Sequence, residues 1–564
     1  MTAAPAQDQS AELETGAVPE VEGAEAVGIP SLLGLAKGVL SAVARPGPAT
    51  REALHLTSDL ARILRGTDDI APAPGDKRFA DPAWTANPAY RRLGQGYLSL
   101  AGSLRRLVDD YEAAGADWQA VEQARFGVNA LTSLLAPTNT LPGNPAALKE
   151  AFDTGGASVV RGLGHLLHDL RHNGGMPSQT DRSAFTVGRD LAVTPGAVVD
   201  RDAVGELLQY EAVTPDIRGR PLLVVPPPIG RYYFLDLRPG RSFVEYAVSQ
   251  GFTVFLLSWR NPTRKQSQWG LDTYAQRVLD AIAVVKEITG SPDVNTLGFC
   301  AGGIISATVL SHLAEQADDS VHSAGFAVTM LDFDSRAPLG AFSAPRMLEL
   351  ASRDSRRKGV ITAQSLGAVF SWMRPDDLVF NYVVNQWLMG QDPPVFDILA
   401  WNADGTNLPA RLHGQFLEVF RDNTLVTGGL TVLGSRVDLS RVTVPTFVTG
   451  ALNDHLTPWD GCYRTTSLLS GPSTFVLSNA GHIARLVNPP GNPRASYHVG
   501  GPPVPDPEQW RSGADKRTGS WWEAWSEWLA GQSGQKRPAP TQLGSRGHPP
   551  IEPAPGSYVL DRVH

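Results

Sequence analysis

Between residues 220 and 480, short unbroken runs of apolar residues alternate with stretches whose apolar positions recur every three or four. The runs cover residues 221–225, 252–257, 294–297 and 323–331, and a later pair covers 443–450 and 473–478. Continuous apolar runs of this length predict strands buried on both faces of a sheet. Between Gln268 and Gly290, Leu271, Tyr274, Val278, Ile282 and Val285 fall on one face of a helix, and Gly290 supplies its stop. Strand and helix alternating in this way predict an α/β fold built on a parallel, doubly wound sheet. Near the end, Ser520 and Glu523 form a capping box ahead of Trp521, Trp525 and Trp528 at helical spacing. We read that stripe as a last helix packed on the sheet, because aromatic stripes are core far more often than binding platforms.

The flanks follow different rules. From Asn87 to Glu112 the apolar positions Tyr90, Leu93, Tyr97, Ala101, Leu104, Val108 and Tyr111 mark a helix. The expected organisation is a disordered N-terminal segment over 1–50, a helical domain over 51–205, a catalytic domain over 206–535 and an extended C-terminal tail over 536–564. Within the first segment, residues 29–43 read as a short amphipathic helix that packs on the protein or lies on a lipid-like surface. The catalytic domain carries an insertion at about 335–440, rich in aromatics (among them Phe370, Trp372, Phe380, Tyr382, Trp387, Phe396, Trp401, Phe416 and Phe420).

Length and composition narrow the choices. At 564 residues the chain holds three or four units by the usual size of about 150 residues each. A net charge of −8 and no long basic run argue against a nucleic-acid partner. No stretch of about twenty uncharged apolar residues is present, so no transmembrane segment is expected. The acidic, Ala/Pro-rich start lacks the basic region of a signal peptide. Two cysteines, with one of them reactive, leave no intrachain disulfide, which fits a reducing cytoplasm. Neither paired C-x-x-C nor H-E-x-x-H spacing occurs, so neither a metal nor a cofactor is expected.

The reactive candidate is Cys300. In Gly298-Phe299-Cys300-Ala301-Gly302-Gly303 it stands between an apolar strand pattern and an apolar helix pattern. That is the strand, sharp turn and helix of a nucleophile elbow, with a thiol in the place of the usual serine. A thiolate there suits acyl transfer from a carrier thiol, since it attacks a thioester and forms another of similar energy. A buried structural cysteine is the competing reading. Asp454 follows the 443–450 run and His482 follows the 473–478 run, the order nucleophile, acid, base of an α/β-hydrolase fold. His455, beside Asp454, is a rival base, but we assign it to loop packing and His482 to catalysis. Cys462 reads as a packing residue. The insertion lies where hydrolase-fold enzymes carry a cap over the nucleophile; ordinary helical core accounts for most of its aromatics equally well.

These residues resemble the polyhydroxyalkanoate synthases of the single-subunit kind, from about Phe79 to Arg562. The shared motifs include Asp81-Pro82-Ala83-Trp84, Asn87-Pro88-Ala89-Tyr90, Pro137-Thr138-Asn139 and Thr154-Gly155-Gly156-Ala157-Ser158. They continue through residues 226–237, Ser258-Trp259-Arg260-Asn261-Pro262, Trp401-Asn402-Ala403-Asp404 and Ala554-Pro555-Gly556-Ser557-Tyr558-Val559. The chain departs from the family at Pro228 and Gly230, which replace bulkier residues. The resemblance implies a catalytic triad of Cys300, Asp454 and His482 and polymerisation of (R)-3-hydroxyacyl-CoA through an acyl-Cys300 thioester. It also implies a homodimer in the cytoplasm at the surface of polyester granules, bound to the growing chain. The oxyanion hole would use the backbone N–H of Ala301 and a second N–H at Ile229 or Gly230. Asp454 would orient His482, with action on the attacking hydroxyl as the alternative. A cysteine-nucleophile thioesterase and an inactive granule scaffold remain the rival functions. Monomer length is not legible in the motif.

Overall fold

The computed structural model describes residues 46–334, 345–479, 481–482 and 487–562. The expected amphipathic helix at 29–43 and residues 335–344 of the expected cap lie outside the described residues.

The described chain opens on helices α1 (Pro46–Arg65), α2 (Pro88–Ala113), α3 (Trp118–Leu134), α4 (Pro145–Asp153) and α5 (Ala157–His172). Helix α2 starts where the sequence sets it. Pro88 is its first residue, and the Asn87 side chain accepts the N–H groups of Ala89 at 2.9 Å and Tyr90 at 3.4 Å. Tyr97, Ala101 and Val108 are its buried face. Helix α5 behaves differently. Its inward face is small and polar (Ser158, Gly162, Asp169), while Val160, Leu163, Leu167 and Leu170 are exposed.

The catalytic part runs β1 (Gly196–Arg201), β2 (Gly205–Tyr210), β3 (Leu222–Val225), α6 (Phe243–Ser249), β4 (Val254–Trp259), α7 (Leu271–Thr289), β5 (Val294–Phe299), α8 (Ala301–Glu315) and β6 (Val321–Ala327). The insertion follows, with α9 (Pro345–Lys358), α10 (Ala363–Trp372), two π-helical turns (Asp376–Phe380, Val383–Leu388), α11 (Asp397–Ala403) and α12 (Ala410–Asp422). The sheet resumes with β7 (Thr446–Ala451), α13 (Trp459–Leu468), β8 (Ser473–Ser478), β9 (Ser496–Val499), β10 (Asp515–Thr518), α14 (Trp521–Gln532) and β11 (Glu552–Pro553).

These strands form one sheet of eleven, in the order β10-β9-β8-β7-β6-β5-β3-β4-β2-β1-β11. The centre, β8 to β4, is parallel, and both edges are antiparallel. The chain reverses direction across the sheet between β4, on one side of β3, and β5, on the other. Doubly wound sheets bind ligands at the carboxyl ends of strands beside such a switch, and β5 delivers Cys300 there. Helices α7 and α8 cover one face. Helix α14 covers the other, its Trp521, Trp522 and Trp525 buried around Phe243. The capping box at Ser520 and Glu523 is closed by both bonds.

The expected boundary near residue 205 falls inside the β1–β2 hairpin, because both strands belong to the large sheet. Residues 536–562 are more than an extended tail. Lys536–Pro538 pairs with Asp216–Arg218, and β11 completes the sheet beside β1. Apolar periodicity carries no sign of these strands, which are two and three residues long and partly exposed. In the insertion Phe380, Tyr382, Trp401 and Phe416 are buried, whereas Phe396 is 57% exposed. No helix among the described residues is long and apolar enough to cross a membrane.

Candidate active site

Strand β5 ends at Phe299 and α8 begins at Ala301, so the whole reversal falls on Cys300. Its backbone sits at φ 49° and ψ −123°, outside the regions a side chain ordinarily adopts. The end of β6 and the turn after it hold this strain. The Cys300 N–H donates to Ala327 O at 2.9 Å, and Thr329 Oγ1 donates to Cys300 O at 3.2 Å. The glycines after it make room. A Cβ on Gly302 would lie 2.3 Å from Val225 O, and one on Gly303 would lie 2.1 Å from Thr329 Oγ1. Sequence and strain thus serve one end, a half-buried thiol standing at the first turn of a helix. The N-terminal dipole of α8 favours its anion there.

Asp454 and His482 reach the same point from the ends of β7 and β8. His482 Nδ1 donates to Asp454 Oδ2 at 2.6 Å, which leaves its other ring nitrogen for Cys300. Both carboxylate oxygens of Asp454 are fully used. Oδ1 accepts the N–H groups of Leu456 (2.8 Å) and Thr457 (3.1 Å), and Oδ2 also accepts the Thr457 hydroxyl at 2.8 Å. Burial opposes charge on His482, yet the Asp454 carboxylate and the contact with Cys300 outweigh it and raise its pKa to about 10. Burial likewise opposes charge on Asp454, and His482 with the loop N–H groups holds its carboxyl below the usual range.

His455 shares the loop but not the partnership. Its Nδ1 is buried without a bonded partner among the described residues. Burial, helped by Arg374 and His482 and opposed by Asp454, lowers its pKa to about 4, so it is neutral. Cys462, on α13, is wholly buried with Sγ 3.6 Å from Thr457 O, and burial pushes its thiol up. It is a packing thiol.

The loop after β3 lies against the elbow, with Phe234 edge-on to Phe299 at 5.8 Å. Here the two expected oxyanion donors separate. The Gly230 N–H is spent on Thr406 Oγ1 at 2.8 Å, while that hydroxyl donates to Pro228 O at 3.1 Å. The Ile229 N–H has no bonded partner among the described residues. Ala301, first in α8, keeps one of the N–H groups that a helix start leaves unpaired. Thr406, Thr457 and Arg231, whose carbonyl accepts Trp401 Nε1–H at 2.6 Å, escape sequence reasoning. Thr406 and Arg231 act on partners that spacing alone does not bring near.

Comparison with known proteins places the chain in a family. A family described as poly-beta-hydroxybutyrate polymerase (PhaC) N-terminus matches residues 75–247, and the alpha/beta hydrolase fold matches residues 237–489. Poly(3-hydroxyalkanoate) polymerase 1 of Ectopseudomonas oleovorans is 42% identical over 533 residues, covering 94% of this chain and 95% of its own. The poly(3-hydroxyalkanoate) polymerase subunit PhaC of Cupriavidus necator is 40% identical over 547 residues, covering 95% and 92%. A solved monoacylglycerol lipase of Paleococcus ferrophilus is similar over 58% of this chain and 99% of its own, at 14% identity and TM-score 0.34. By its two matched regions and its near full-length relatives, the chain belongs to the poly(3-hydroxyalkanoate) polymerases, a family of acyltransferase enzymes.

Proposed function

We propose that this chain polymerises 3-hydroxyacyl-CoA thioesters, carrying each acyl group on Cys300 and releasing CoA. The observation that carries the reading is a thiol on a strained elbow, faced by a buried imidazole that is paired with a carboxylate. In the first half, His482 takes the Cys300 proton and the thiolate attacks the substrate carbonyl. The N–H groups of Ala301 and Ile229 receive the oxyanion. Collapse breaks the carbon–sulfur bond to CoA, which leaves with the proton from His482. In the second half, the 3-hydroxyl of another unit attacks the acyl-Cys300 thioester as His482 removes its proton. An ester forms, and Cys300 leaves as the thiolate. Asp454 has no acceptor position to spare for that hydroxyl, so its role is to orient His482 and balance the imidazolium.

The test is CoA release from 3-hydroxybutyryl-CoA and 3-hydroxyoctanoyl-CoA, with Cys300→Ala in parallel and the organic product weighed. Polyester with CoA, both lost in the variant, is the expected outcome. CoA with free hydroxy acid alone would make the chain a thioesterase. The exposed apolar face of α5 supports work at the surface of the polyester granule, checked by co-sedimentation with polyester particles of wild type against Leu163→Glu. A homodimer completes the proposal, and equilibrium sedimentation tests it.

A further inference from the structure

Glu206 is a carboxylate at the start of β2, its second residue, with no exposure at all, and the chemistry above gives it no role. A buried carboxylate must be paired and bonded to be tolerated. Its partners come from Arg201, at 2.7 Å, and from the far end of the chain. The Ser557 N–H (3.3 Å) and O–H (3.0 Å) and the Tyr558 N–H (3.1 Å) all donate to it. Gly556, at φ 78°, lets the chain approach, since a Cβ there would lie 2.4 Å from Glu206 Oε2. Tyr558 is then held on its own account. Its O–H donates to Asp202 O at 2.6 Å, and the guanidinium groups of Arg260 and Arg201 lie 5.0 and 5.6 Å from its ring centre.

The segment ends on Arg231. This side chain is buried, and its guanidinium donates to Tyr558 O at 3.0 Å and to Asp561 O, with Asp404 3.5 Å away. Arg231 stands two residues after Ile229. From the opposite side the insertion grips the same loop, through Trp401 on Arg231 O and Thr406 on Gly230 N. The loop is thus fixed from both sides.

We infer that residues 556–561 form a positioning strap which, through Arg231, sets the loop bearing the second oxyanion donor. Arg231 is a positioning residue for acyl transfer rather than a catalytic one, because it meets no reacting atom. This rests on the acyl-transfer reading and on Ile229 as the donor. An oxyanion donor serves only at the place the developing charge will occupy, so a small slip of its loop costs rate and not substrate affinity.

Two variants strike the strap at different points. Arg231→Lys keeps the charge but loses the fork that spans two carbonyls. Gly556→Ala drives the strap off Glu206 without touching the loop. Each is expected to lower kcat for CoA release by about 10- to 100-fold, with KM within about 2-fold of wild type. Alkylation of Cys300 by iodoacetamide should keep its rate, since the strap acts on the oxyanion and not on the thiolate. The double variant should be little worse than either single one, because both cut the same connection. Variants that melt earlier with kcat unchanged would reduce the strap to a structural tie and overturn the proposal. Equal loss of alkylation would overturn it too, by showing general damage to the site. A wild-type chain that releases no CoA would instead sink the acyl-transfer reading on which the strap rests.

Discussion

Asp454 and His482 bury two ionisable side chains that would each lose charge if left alone. Together they hold it, and the pair therefore leaves a mark on stability as well as on rate. His482 is raised from its ordinary 6.5 to about 10, so between these values the folded chain keeps a proton that the unfolded chain releases. Its contribution is full below about 6.5 and is lost as pH rises through about 10. Asp454 is held below its ordinary 3.8, so its contribution is present above that value and fades as pH falls through the lowered one. The melting temperature of wild type should exceed that of His482→Gln by a margin that is steady below about pH 6.5 and shrinks as pH rises from there towards about 10. A margin that grows with pH would mean that the imidazole is neutral in the fold. Asp454→Asn keeps the shape and removes the balancing charge. CoA release should then fall by on the order of 10⁴-fold, the size seen when the acid of a Ser-His-Asp triad is amidated, with near-wild-type circular dichroism.

Helix α14 shows what an element gives the site without touching it. Trp521, Trp522 and Trp525 surround Phe243 at centroid distances of 5.9, 5.3 and 4.7 Å, and Phe243 meets Phe299, the residue before Cys300, at 5.7 Å. Trp525→Ala should cost about 3–5 kcal/mol in urea titrations. Loss of the Ser520 cap should cost about 1 kcal/mol. If the two costs match, the stripe is not the core it is taken to be. This helix and the strands from β3 to β8 are readable in the sequence for a physical reason. Burial on both faces demands continuous apolar runs, and a capped helix states its own start. Strand β10, Asp515–Thr518, is exposed throughout and leaves no apolar trace. Cys300, Asp454 and His482 are legible because each follows one of the readable strands. Thr406 and Arg231 are not, because what they do depends on where the insertion and the chain end come to rest.

The N-terminal helices hold the insertion, and the insertion in turn touches the loop after β3. Asp169, buried on the inward face of α5, accepts Trp387 Nε1–H at 2.8 Å and the Ser178 hydroxyl at 2.5 Å. Gln386 donates to Ser178 O at 2.5 Å, Gln179 to Leu378 O at 2.8 Å and Thr180 to Pro394 O at 2.8 Å, while Arg78 pairs with Asp376 at 2.8 Å. The segment 376–394 therefore hangs from the helical domain. The next stretch of the insertion reaches the catalytic side, with Thr406 on Gly230 and the Asn407 N–H on Asn261 at 2.9 Å. Trp387→Phe removes one charge-assisted bond from this suspension and little volume. A bond of that kind is worth about 1.5–3 kcal/mol. If the segment opens as its own unit, its amide exchange should quicken by about 10- to 100-fold. Strands β5 and β6 should keep their protection, since their bonds lie within the sheet. Faster exchange spread evenly over sheet and insertion would mean that they open only together. The helical domain would then be a brace for the whole molecule rather than the mount of the insertion.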